Sequence, residues 1–286
     1  MKCIFCKSSS MGSTSEEHIV PESLGNTEHI LPPGWVCDSC NNYIAREVEA
    51  PFLNSWYGCN SRFEMRVQSK RGRIPPATGM HLQSRSKVNV YLDDDDHLAI
   101  CAKPGEDELH FVRTIQSHTQ GTLYIPAATE PPQSSETSRF IAKVALEVLA
   151  QQCINEPGWN KEIVEKRELD EIRGYVRRGR PGFVWPIHTR RLYAADWLFT
   201  SPGIQPYEVL HEWDILAIPS SDDSNAAEFY VIIAIFGVEY AINLGGPELD
   251  GYKKWLEAHS NRSYLYLKGG AQQLPAGDVL MAAPEE

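Results

Sequence analysis

Residues 15–21 read Ser-Glu-Glu-His-Ile-Val-Pro. Carboxylate oxygens suit a hard divalent cation. A histidine titrates close to neutral pH and can take a proton from water. Placed side by side, the two residue types could hold a metal beside a base. Taken alone, the stretch is equally a polar turn running into a strand. Four cysteines bracket it as two pairs, Cys3-x-x-Cys6 and Cys37-x-x-Cys40. Each pair sets two thiolates on one tight turn, and two such turns complete a tetrahedral S4 site of the kind that favours zinc. The other three cysteines, Cys59, Cys101 and Cys153, are isolated and read as small buried apolar residues. An odd total of seven, with no leader-like start, argues against a disulfide framework.

The second cysteine pair opens an amphipathic helix, with Ile44, Val48 and Phe52 recurring on one face. Asp38 or Ser39 is placed to cap it. A zinc ion would pin the chain start to its first turn. Steps of three, four, seven and eleven residues put Asn41 on the apolar azimuth, whereas Asn42, Arg46 and Glu49 fall on another. Asn41 therefore faces the segment carrying Glu17 and His18. A carboxamide on an apolar stripe needs a partner. That partner is either the helix's own first turn or a metal shared with Glu17.

The chain has 286 residues, 42% of them hydrophobic, which is enough for real cores. Its formal net charge of -11 does not announce a nucleic-acid binder. The charge is uneven, however. Residues 60–91 carry seven Lys/Arg against one acid, and residues 173–191 carry six Arg and no acid. Within these stretches Lys70, Arg71 and Arg73 are expected to position a substrate backbone, with Arg177, Arg178 and Arg180 a second candidate phosphate grip. The competing reading is a set of solvated charges and a favourable helix C-terminus. The acidic run Asp93–His97 reads as a solvated turn. The start turns polar too early for a signal peptide, and the longest apolar run, 230–242, contains Glu239 and is too short to span a bilayer. These features lead to the expectation of a cytoplasmic protein with no membrane partner.

Three regions are expected: a module over 1–58, a β-rich basic region over 59–128, and an α/β region over 129–286. Short strands are predicted at 87–92, 98–101, 110–115 and 122–125. Helices are predicted at 139–153, 161–178 and 252–258. Strands at 209–218, 229–236 and 239–244 include a central hairpin.

The succession "CIFC", "SEEHIVPESLGN", "VCDSCNNYI" resembles the HNH, or ββα-metal, endonucleases of the four-cysteine type. The resemblance covers about the first fifth of the chain. It implies a zinc-bound ββα-metal module at the N-terminus; with the helices and strands predicted above, the expected fold is α+β, this module followed by a larger α/β region with mostly antiparallel sheet. It implies Glu17 as the acidic metal ligand, His18 as the general base and Asn41 as the second ligand. The cofactors implied are structural Zn2+ at Cys3, Cys6, Cys37 and Cys40, and a catalytic divalent cation, Mg2+ being the expected one. The reaction implied is phosphodiester hydrolysis in nucleic acid, with DNA the expected substrate. The middle Asn that steadies the base in relatives is not at its usual place before the second pair; Asn26, His29, Asn42 or a carbonyl could replace it. One metal makes one cut, so double-strand cleavage favours a homodimer or two successive events. By analogy of architecture, such bacterial nucleases act as defence effectors, gated by an activating ligand or protein partner at the larger region. The alternative is a non-catalytic zinc-ribbon module that binds nucleic acid or regulates.

Overall fold

The computed structural model describes residues 1–69, 72–92, 97–194, 197–201, 204–219, 227–266 and 272–274. In chain order it begins with two short strands, β1 (Glu17–His18) and β2 (Ile30–Leu31), and then α1 (Asp38–Ile44). A π-helical turn (Ala45–Glu49) leads into α2 (Ala50–Leu53). Next come α3 (Trp56–Glu64), β3 (Ala77–His81), β4 (Ser86–Leu92), β5 (Leu98–Ala102), α4 (Glu108–Ser117) and β6 (Leu123–Tyr124). The longest helix, α5 (Ser135–Gln152), is followed by α6 (Trp159–Glu165) and α7 (Asp170–Arg178). The remaining elements are β7 (His188–Arg191), β8 (Leu198–Ser201), β9 (Ile204–Tyr207), β10 (His211–Pro219), β11 (Ala227–Ile235), β12 (Val238–Asn243), α8 (Asp250–Ala258) and β13 (Gln272–Leu274).

The chain divides into two compact units. The first comprises residues 1–21, 26–52 and 130–286; the second comprises 22–25 and 53–129. In the first, the antiparallel sheet β10-β11-β12-β7 is centred on the expected hairpin of β11 and β12. Its turn, Phe236–Gly237, has φ of 50° and 75°, the doubly positive pair that a two-residue hairpin of matching twist requires. A Cβ on Gly237 would lie 2.5 Å from the Tyr193 carbonyl oxygen, so only glycine fits. In the second, β5-β4-β3-β6 form an antiparallel sheet whose inner face packs Ala77, Val88 and Val90 against Phe111 of α4 and Phe63 of α3. The fold is α+β with antiparallel sheets, as expected. Among the described residues no helix is long and apolar enough to cross a membrane.

Three local expectations are corrected. Residues 110–115 lie in α4, not in a strand: Asp107 caps it, accepting the His110 amide at 3.0 Å. The helix expected over 161–178 is two, because Lys166 turns extended between them. Arg173 of α7 braces the break by donating to the Ile163 carbonyl and, at 2.8 Å, to that of Lys166. Neither Asp38 nor Ser39 caps α1. Its N-cap is Cys37, and the Asp38 carboxylate instead accepts the Thr14 and Ser15 amides at 3.1 and 3.0 Å.

Candidate active site

The four thiols of Cys3, Cys6, Cys37 and Cys40 converge, every pair of sulfurs lying within 4.8 Å. The Cys6 and Cys37 sulfurs are 3.7 Å apart. Tetrahedral zinc with Zn–S of about 2.3 Å puts its sulfurs about 3.8 Å apart, so the cluster fits a structural zinc ion. The backbone is arranged around the first knuckle: the Lys7 amide donates to the Cys3 carbonyl at 2.9 Å, and the Ile4 amide donates to that of Trp35 at 3.0 Å. Buried Arg173 grips the Ile4 carbonyl at 2.7 Å, tying the knuckle to α7.

Between the cysteine pairs, β1 and β2 form a minimal hairpin, with Glu17 opposite Leu31 and His18 opposite Ile30. The loop joining them is stapled by buried Asn26. Its amide donates to the Val20 and His29 carbonyls at 2.7 and 2.9 Å, and its oxygen accepts the Glu28 and His29 amides at 3.2 and 2.9 Å. Asn26 thus steadies the hairpin backbone rather than the His18 ring. His29 is engaged elsewhere, packed edge-on to Trp213 with ring centroids 4.6 Å apart and 3.3 Å from Gln151. The half-buried ring of His18 has an enclosed Nδ1 without a partner among the described residues.

Asn41 lies in the first turn of α1, half-buried. It donates its amide to the Glu16 carbonyl at 3.0 Å, which joins α1 to the start of the Glu17–His18 strand. The carboxamide oxygen, the atom able to ligate a cation, takes no part in that bond.

Glu17 is buried and has an unforeseen partner. The Nζ of Lys143, from α5, lies 2.8 Å from carboxylates of Glu17, Glu49 and Glu147. It also donates to the His18 and Ile19 carbonyls at 2.8 and 3.2 Å. Five acceptors compete for three N–H bonds. Glu147 loses: both its oxygens are buried without a directed hydrogen bond. With every group ionised, three carboxylates around one ammonium would leave a net charge of −2, two of the carboxylates being buried and Glu49 half-buried. Burial pushes the Glu17 carboxyl up, and the neighbouring Glu49 charge adds to this against the pull of Lys143. Burial likewise holds Glu147 well above the usual carboxylate range. Burial alone would lower Lys143, but Glu147, Glu17 and Glu49 outweigh it and raise the ammonium well above the usual lysine range.

These shifts set a measurable slope. Native Glu147 keeps its proton above the ordinary glutamate range, whereas unfolded Glu147 has lost it. Its contribution to stability is complete below the unfolded value and is lost as pH rises towards the folded one, at about 1.4 kcal/mol per pH unit. Glu147→Gln removes this slope. Thermal denaturation from pH 5 to 8 is expected to show wild type losing stability and the variant flattening the curve, with the variant more stable at pH 8.

The remaining candidates with described contacts touch other residues. Arg178 and Arg180 line one cleft with Tyr175 and Trp185. The Arg178 guanidinium folds back over Gly174, and Arg180 lies over the Phe183 ring at 4.9 Å and 3.8 Å from Glu171. Arg177 is half-buried. Arg73 is exposed in the second unit, its carbonyl accepting the Ser69 amide at 2.8 Å. Lys70, Arg71 and Asp93–Asp96 lie outside the described residues.

Residues 3–57 match a family model described as HNH endonuclease. No match was found among the curated proteins or the solved structures. The match begins at the first zinc-site cysteine and ends in the first turn of α3, so over the zinc cluster, the β1–β2 hairpin and the helix bearing Asn41 this chain is similar to the HNH endonucleases.

Proposed function

We propose that this module hydrolyses phosphodiester bonds in nucleic acid, with DNA as the substrate, Glu17 and Asn41 as cation ligands and His18 as the base. The observation that carries this reading is the hydrogen bond from Asn41 to the Glu16 carbonyl, next to Glu17 and His18, in which the Asn41 carboxamide oxygen takes no part. A hard divalent cation such as Mg2+, when held by Glu17 and Asn41, supplies charge neutralisation at the phosphoryl and leaving oxygens. His18 acts through Nε2, since Nδ1 is enclosed; Nε2 takes the proton of the attacking water. Lys143 and Asn26 keep the His18 backbone in place while the ring exchanges its proton. The larger region fits a gating role of the kind used by defence effectors: α5 supplies Lys143, so a partner or ligand that shifts α5 would shift the base. A second reading, a zinc module without catalysis, has one observation in its favour: Lys143 already neutralises part of Glu17.

A panel of supercoiled plasmid, single-stranded DNA and RNA with Mg2+, Mn2+ and Ni2+ separates the two. Wild type is expected to cleave, and His18→Ala to be about 10²–10⁴-fold slower with its fold and zinc intact. Asn41→Ala is expected to regain rate as metal concentration rises. Equal cleavage by wild type and His18→Ala would remove the base assignment. Inert wild type that also binds no divalent cation beyond zinc would leave the second reading.

A further inference from the structure

The sheet of the second unit has one face covered and one open. The open face is read from the register. Across β4, β3 and β6 runs a row of Lys87, Met80 and Tyr124. Lys103 extends it on the β5 side, its amide donating to the Lys87 carbonyl at 2.9 Å. The next row holds Asn89, Thr78 and Cys101, which is exposed rather than buried as its isolation suggests, and the third holds Ala99 and Tyr91. Tyr124 is 58% exposed, Tyr91 40% and Met80 38%. None of these nine residues is acidic.

Two features of this face ask for a partner. Lys87 and Lys103 stand directly opposite on neighbouring strands, an arrangement that destabilises a sheet unless an anion lies between them. The Lys103 ammonium is turned onto the face, 3.2 Å from the Thr78 hydroxyl. The two tyrosines are two strands and four residues apart, roughly 17 Å from strand spacing and rise, so no single flat group touches both. Paired cations with spaced, exposed rings match a chain that alternates phosphates and aromatic bases. Duplex DNA hides its base faces in the stack, whereas an unpaired strand offers them to aromatic side chains.

We infer that the open face of β5-β4-β3-β6 binds single-stranded nucleic acid, stacking bases on Tyr91 and Tyr124 and holding phosphates at Lys87 and Lys103. This extends the nuclease reading of the N-terminal module, which supplies the reason for a nucleic acid rather than another anion. Binding is tested without cleavage, by fluorescence anisotropy of the full chain carrying His18→Ala, with zinc retained and no other divalent cation. Probes are 12-nucleotide oligo-dT, oligo-U and a DNA duplex; the first two separate DNA from RNA as the strand bound. Single strands are expected to bind more tightly than duplex. The pair Tyr91→Ser/Tyr124→Ser should weaken single-strand binding at least tenfold, and Tyr91→Phe/Tyr124→Phe should restore it. Lys87→Gln/Lys103→Gln should reduce the slope of log affinity against log salt by about 1.4, near 0.7 per phosphate contact. Equal binding of duplex and single strand, or serine variants that bind like their parent, overturns the inference. Cleavage by wild type with unaltered binding in the serine variants keeps the nuclease and removes this face. Binding that depends on the tyrosines in a chain that never cleaves does the reverse.

Discussion

Lys143→Met is expected to lower the unfolding free energy by about 3–5 kcal/mol at pH 7.5, because it strips the buried ammonium from Glu17, Glu49 and Glu147. Methionine nearly matches the lysine stem in length, so lost packing is a small part of the change; the loss is electrostatic. Three further results identify it as such. The deficit should shrink towards pH 5, where protons on Glu17 and Glu147, both raised by burial, take the place of the ammonium. Adding Glu147→Gln to Lys143→Met should recover part of the loss, whereas independent sites would add their costs. Urea denaturation should show the change in the transition of the unit that contains residues 1–21 and 130–286. If Lys143→Met unfolds at the same urea concentration as wild type at pH 7.5, the cluster is solvated rather than buried. The substitution also removes the donor to the His18 and Ile19 carbonyls. Lys143 is thus a positioning residue for the base, and a fall in kcat should accompany the loss of stability even at pH 5.

Lys143 also marks the boundary of what the sequence disclosed. The cysteine pairs were legible because a CxxC turn is short-range, whereas the roles of Glu17, His18 and Asn41 rest on the resemblance to the HNH endonucleases. Asn26 was among the candidates for the steadying residue, but its four bonds go to backbone groups of the loop, which no spacing rule announces. Glu49 was misplaced for a geometric reason. Ideal 3.6-residue periodicity sets it beside Asn42 and Arg46, but the π turn over Ala45–Glu49 shifts the phase and brings it to Lys143. Lys143 and Glu147 sit inside the predicted helix 139–153, α5 in the structure, and helical periodicity alone does not single them out. The helix is buried nearly all round, and these two residues interrupt the run Phe140–Ala150 at i, i+4 spacing. A charged pair inside an otherwise apolar helix was a usable signal, since such groups are buried only when paired. Its partner, Glu17, is remote in sequence, and contacts of that kind leave no periodic trace.

The zinc site makes the second large prediction, and its logic differs from that of His18. Cys37 is at once a thiol of the cluster and the N-cap of α1. Four residues on, Asn41 holds the Glu16 carbonyl, and next to Cys37 the Asp38 carboxylate holds the Thr14 and Ser15 amides. The leash from Thr14 to Glu16 therefore hangs on the start of a helix that the cluster pins. Cys37→Ser should abolish zinc retention, and the binding free energy of such a site, on the order of 10–16 kcal/mol, is largely folding free energy for the residues it gathers. Hydrogen exchange should then show residues 1–16 and 35–42 losing protection, while β11 and β12, buried in their own sheet, keep theirs. Activity would vanish with the fold of the module, in contrast to His18→Ala, which silences a folded one. Chelation of wild-type zinc should reproduce the exchange pattern, and zinc should reverse it. A Cys37→Ser protein with wild-type zinc content and unchanged protection at Thr14–Glu16 would mean that the four thiols do not organise the site. The Asp38 and Asn41 hydrogen bonds would then hold the leash alone, and those few bonds, each worth about 1 kcal/mol net, could not be expected to keep Glu17 and His18 in register against the entropy of a free chain end.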